Sequence, residues 1–200
     1  MSLTIKEEGF KQVPAGTYPA RCIKIIDLGT QHGEYEGKEI VKKQVMITWE
    51  LPTELIPDGD LKGKPYGVSM FFTASLSEKA KLRQILESWR GRAFTQEELA
   101  GFDLRNILGK PCMASVVHTE KGRAKISAIT SVPKGMTVPT AINELIFFDI
   151  SNFNQDHFDK LSEKIQKMIQ SSDEYMEGIA CETQGTDYGD NSLSSEDIPF

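Results

Sequence analysis

A chain of 200 residues, 39% of them apolar, can bury one sizeable core, and this length suggests one domain with appendages. Three cysteines (Cys22, Cys112 and Cys181), odd in number and without a CxxC pair, exclude a disulfide framework and a zinc ribbon and point to free thiols in a reducing compartment. Residues 1–8 lack the basic and apolar regions of a signal peptide, and no apolar run nears the roughly 18 residues of a membrane span, so a soluble, cytoplasmic protein with no membrane contact is expected despite a net charge of −6.

Pro14-Ala15-Gly16 turns the chain into a first strand over about 18–28, rich in β-branched residues (Ile23, Ile25, Ile26). Gly29, Gly33 and Gly37 then punctuate a mobile loop carrying His32, Tyr35 and Lys38. A second strand, about 40–51, alternates: Val45, Ile47, Trp49 and Leu51 share one face, and Gln44, Met46, Thr48 and Glu50 the other. A connection rich in Pro and Gly leads to a third strand, about 66–74, with Phe71-Phe72. Adjacent strand residues face opposite ways, so one of these two rings is core and the other outward.

The period then changes to helical. Ser75-Leu76-Ser77-Glu78 reads as a capping box before the apolar face Leu82, Ile85, Leu86 and Trp89, which Gly91 ends. Thr95-Gln96-Glu97-Glu98 reads as a second box, opening a short helix that stops at Gly101. Two strands follow, about 112–119 and 124–132, with Glu120-Lys121-Gly122-Arg123 as a hairpin turn. Three strands, a helical insert and two strands give a mainly β domain over 1–139, in the order of a five-stranded OB-fold barrel that binds single strands across strands 2–3 and the flanking loops.

After Pro139 the character shifts. Residues 140–170 hold an apolar stretch (Leu145, Ile146, Phe147, Phe148) and an amphipathic helix over about 154–170, with the stripe Phe158, Leu161, Ile165, Met168 and Ile169. That stripe either docks on the barrel or forms a homodimer. Residues 171–200 have few large apolar groups before the ending and read as a disordered acidic tail. Charge divides at the same place: through Pro139 there are 20 Lys and Arg against 16 Asp and Glu, and from Thr140 onward 3 against 13. A mildly basic body suits phosphate, and an acidic tail suits basic partners.

The tail finishes Glu196-Asp197-Ile198-Pro199-Phe200, acids followed by a rigid apolar end, chemistry that an apolar pocket rimmed by Arg or Lys can capture. This ending resembles the C-terminal tail of bacterial and phage single-stranded DNA-binding proteins, which typically read Asp-Asp-Asp-Ile-Pro-Phe; Glu196 replaces one Asp and Ser195 departs from the pattern. Pro14-x-Gly16-x-Tyr18-x-Ala20 and Gly109-Lys110-Pro111 are similar to segments of phage-encoded members. The resemblance, over about 13–135 plus the tail, implies an OB-fold that holds exposed strands without sequence preference. It also implies a tail that recruits replication, recombination or repair proteins.

Such binding needs cations along phosphates and rings under bases. The candidate cations are Arg21, Lys24, Lys38, Lys42, Lys43, Lys121, Arg123 and Lys125; the candidate rings are Tyr35, Phe71 and Phe72, with Tyr66 a further possibility. Two other classes remain open: an OB-like adaptor that binds protein only, and a metal-dependent nuclease using acid pairs such as Glu34/Glu36 or Asp58/Asp60. The phosphate-loop spacing is one residue short after Gly33 and Gly59, and His32, His118 and His157 match no zinc pattern, so no enzyme, cofactor or metal is expected.

Overall fold

The β-branched runs on either side of Glu36-Gly37 form two long strands, β1 (Gly16–Tyr35) and β2 (Lys38–Leu55), in the computed structural model, which describes residues 12–184. Both turn residues have positive φ, 52° and 73°, a combination that matches the twist of a tight hairpin. The stretch expected to be a mobile loop is therefore strand, paired from Gly29↔Gln44 to Tyr35↔Lys38. Residues 30–43 continue past the last neighbouring strand pair, Gln44↔Thr73, and form a two-stranded ribbon.

Strands β3 (Pro65–Thr73), β4 (Pro111–His118) and β5 (Ala124–Thr130) complete the antiparallel order β3-β2-β1-β4-β5. A short β6 (Ile146–Phe148) lies parallel to Lys24–Ile26 of β1, on the edge that β4 leaves at Arg21. The protein is thus mainly β, an open six-stranded sheet with short helices, where a five-stranded, partly open OB-fold barrel was expected. The edges β3 and β5 share no ladder; helix α1 (Lys81–Arg90) packs against both and fills the inner face with Leu82, Ile85, Leu86 and Trp89. Side chains, not backbone hydrogen bonds, span the opening.

Two cores use the two faces of β1 and β2. The inner one gathers Ile25, Val45, Ile47, Trp49, Met70, Phe72, Ile126 and the α1 stripe. The outer one sets Ile26, Leu28 and Met46 against Phe148, Phe158, Leu161, Ile165 and Ile169 from the C-terminal part. Burial on both faces explains why Val45 to Pro52 are all buried although the sequence alternates.

The helices depart from the sequence reading at identifiable places. The first capping box is not formed: the Ser75 hydroxyl takes the Ser77 amide in a local turn, and α1 starts at Lys81. The second is formed, with α2 (Gln96–Ala100) carrying both reciprocal Thr95–Glu98 bonds. The helix expected over 154–170 splits into α3 (Gln155–Asp159) and α4 (Glu163–Gln170). From residue 173, where disorder was expected, the chain forms α5 (Asp173–Gln184). Tertiary anchors outweigh its polar composition. The Ser172 hydroxyl is buried and donates to the Ile169 carbonyl at 2.6 Å, and Tyr175 stacks on Phe158 at 6.1 Å. The Glu174 carboxylate accepts from Thr30 N and Oγ1 at 2.6 and 2.9 Å. Gly29 permits this approach, since a Cβ there would lie 2.6 Å from Ser172 Cβ. Among the described residues no helix is long and apolar enough to cross a membrane.

Candidate nucleic-acid interface

Strand period assigns the two rings of β3. Val68, Met70 and Phe72 point inward, and Gly67, Ser69 and Phe71 outward. Phe72, expected as a candidate base platform along with Phe71, is core: it is 3% exposed and sits edge-on to Trp49 at 6.3 Å. Phe71 is 46% exposed on the outer face. Beside it the Thr48 and Ser69 hydroxyls bond across the strands at 2.8 Å, and Lys24, Thr48, Ser69, Phe71, Leu161 and Ser162 contribute to a cavity of about 310 Å³.

The cations fall into three groups. Lys38 and Lys42 are exposed on the ribbon, whose tip carries the Tyr35 backbone opposite Lys38. Lys121, Arg123 and Lys125 are exposed on the β4–β5 hairpin, where Gly122 (φ 70°) lets the turn close through Gly122 N to Thr119 O at 2.8 Å. Lys24 is half-buried in the cavity wall.

Two of the expected cations are engaged within the fold. Lys43 pairs with Asp27 at 3.3 Å and approaches Glu174 at 3.8 Å. Burial works against ionisation of Glu174, yet hydrogen bonds from Thr30 and the Lys43 charge hold its carboxyl below the ordinary range. Each of the three guanidinium nitrogens of Arg21 donates to a backbone carbonyl: Nη1 to Gly109 at 2.7 Å, Nη2 to Val138 at 2.9 Å and Nε to Pro139 at 2.9 Å. Arg21 therefore anchors the chain. Its carbonyl partners lie 88 to 118 residues away in sequence, beyond what local pattern can show.

Directly opposite Arg21 in the ladder is Glu50, fully buried. Its carboxylate accepts from Ile142 N at 2.7 Å, Asn143 N at 2.9 Å and Asn143 Nδ2 at 2.6 Å. One cross-strand pair thus holds the strap 138–143 over the outer face, the cation by its carbonyls and the anion by its N–H groups. Sequence reasoning missed Glu50, Thr48 and Ser69. The available signal was a single carboxylate, bounded by Trp49 and Leu51, in the otherwise uncharged run from Val45 to Leu51.

His118 bonds the Val13 carbonyl at 2.7 Å. Burial pushes the Cys112 thiol up to about 12 and raises Cys22 further, which makes both poor nucleophiles. Among the described residues no group of three or more His, Cys, Asp or Glu is arranged to hold a metal ion. Glu196, Asp197, Ile198, Pro199 and Phe200 lie outside the described residues.

Comparison with protein-family models, with curated proteins and with solved structures gives no match for this chain. The geometry offers an exposed ring, neighbouring hydroxyls and cations on two flanking projections, a combination suited to an extended polyanion with flat bases.

Proposed function

We infer that the protein binds single-stranded DNA without sequence preference, on an OB-like sheet, and that its acidic ending recruits proteins of replication, recombination or repair. The observation that carries this reading is the outward Phe71 on β3. It stands on the strand-2–3 face, and Lys38, Lys42, Lys121, Arg123 and Lys125 sit on the β1–β2 and β4–β5 connections, the three places where an OB-fold meets its strand. The strand order, with β1 between β2 and β4, supports the OB-like assignment although the sheet stays open. The resemblance of Asp197-Ile198-Pro199-Phe200 to the tails of phage and bacterial single-stranded DNA-binding proteins supports the recruiting role.

Stacking supplies affinity that every base can share, and lysines supply charge that follows the backbone. The uneven charge fits this division of labour, with a basic body for the strand and an acidic end for the partner. Reversal of Lys121, Arg123 and Lys125 to Glu tests the reading. Affinity for oligo-dT should fall, and the salt slope should flatten by about 0.7 for each phosphate that is no longer neutralised. An unchanged slope with the fold intact removes the β4–β5 hairpin from the site.

A further inference from the structure

The cavity beside Phe71 has a wall that the sheet does not supply. Lys24, Thr48, Ser69 and Phe71 come from three adjacent strands, but Leu161, Ser162 and Ile165 come from the start of α4 and the residues before it. Leu161 and Ile165 are each only 7% exposed and belong to the outer core with Ile26 and Met46, so this second wall is fixed by packing. Between the walls lies a space of about 310 Å³, with an aromatic ring left half-exposed at its side. Apolar surface on two sides and hydroxyls between them suit a flat ligand with apolar faces and a polar edge.

We propose that this cavity is a slot for one unpaired nucleobase, stacked on Phe71 and walled on the other side by α4. The proposal rests on the DNA-binding reading and adds to it a C-terminal helix that belongs to the strand-binding site. The chemistry fits a base of any identity. Each of the Thr48 and Ser69 hydroxyls can donate or accept, so the pair can meet either kind of group on a base edge by rotating, and it imposes no sequence. Lys24, in the same lining, supplies a positive charge to the nucleotide's phosphate. Alternative anionic ligands without a ring would use Lys24 but gain nothing from Phe71 or from the α4 wall.

The test uses the full chain and oligo-dT. In Phe71→Trp the new indole reports stacking directly, because Trp49 and Trp89 are buried at 0% and 6% exposure and stay away from the strand. Its emission should be quenched to saturation as oligo-dT binds. Ser162→Trp should block the slot from the helix side. Ser162 is exposed and its side chain makes no capping bond to α4, so the fold does not depend on it. This variant should bind oligo-dT about tenfold more weakly, the effect of removing one stacked base, with its salt slope kept. A silent Phe71→Trp at saturating DNA, or a Ser162→Trp that binds like the unaltered protein, overturns the slot while leaving DNA binding in place. Should Ser162→Trp fail to fold, the smaller Ser162→Leu repeats the block from the helix side, with a weaker loss of affinity expected and unaltered binding overturning the slot. If the unaltered protein binds no oligo-dT, the slot and the proposed function fall together.

Discussion

Glu50 shows how one carboxylate can fix the course of a chain. Buried without access to water, it would be costly alone, and it is stable because three N–H groups of Ile142 and Asn143 surround it. Glu50→Gln should set an amide NH2 against those donors and destabilise the protein by about 1–3 kcal/mol, measurable by urea unfolding. A variant as stable as the original would contradict the strap's anchoring. The Phe71–Phe72 pair was legible in the sequence because the strand period forces the rings apart, and burial then selects Phe72. The roles of Glu50 and Arg21 were not legible, since their partners are backbone groups of residues 109 and 138–143 and the Asn143 side chain, which only the fold brings near.

Among the elements, the β1–β2 ribbon is held at its base by the C-terminal helices. His32 Nδ1 meets Glu39 at 3.0 Å and His32 Nε2 meets Asp173 at 2.8 Å, so both ring nitrogens face carboxylates. Bonding first to Glu39 and then to Asp173 raises the imidazole above its usual range. A raised folded-state value means that this contribution is fully present below about pH 6.5 and is lost as pH rises through the folded value. An NMR titration should therefore place His32 above about 6.5, and Glu39→Gln or Asp173→Asn should each lower the midpoint. A midpoint unmoved by either change would mean that the clamp does not form in solution. The ribbon itself escaped sequence reading because three glycines in nine residues suggest a loop, whereas Glu36-Gly37 serves as a two-residue turn and Gly29 as a point of close approach to α5. The polar composition of α5 hid it in the same way, because its order comes from Ser172, Glu174 and Tyr175 meeting other elements.

For the whole molecule, the part after Pro139 completes the sheet. Its strap, β6 and α3–α5 cover Ile26, Leu28 and Met46, which would otherwise face water. Truncation after Pro139 should lower the melting temperature sharply, since each of these side chains contributes about 1.5–3 kcal/mol by burial. An unchanged melting temperature would show that the outer core adds nothing. The change of character at Pro139 was visible in charge and composition, but not that the following segment shares the face where a strand is proposed to lie. That sharing confines the open surface to β3 with the neighbouring part of β2 on one side, and to β4–β5 on the other.

This surface is proposed to hold single-stranded DNA through phosphate pairing and base stacking together. The decisive experiment is the affinity of the full chain for oligo-dT over a series of salt concentrations. If Lys24, Lys38, Lys42, Lys121, Arg123 and Lys125 each meet a phosphate, log affinity should fall linearly with log salt with a slope near about −4. Binding should persist at high salt to the extent that stacking on Phe71 contributes. An affinity independent of salt, or no binding to oligo-dT at low salt, would overturn the DNA-binding reading.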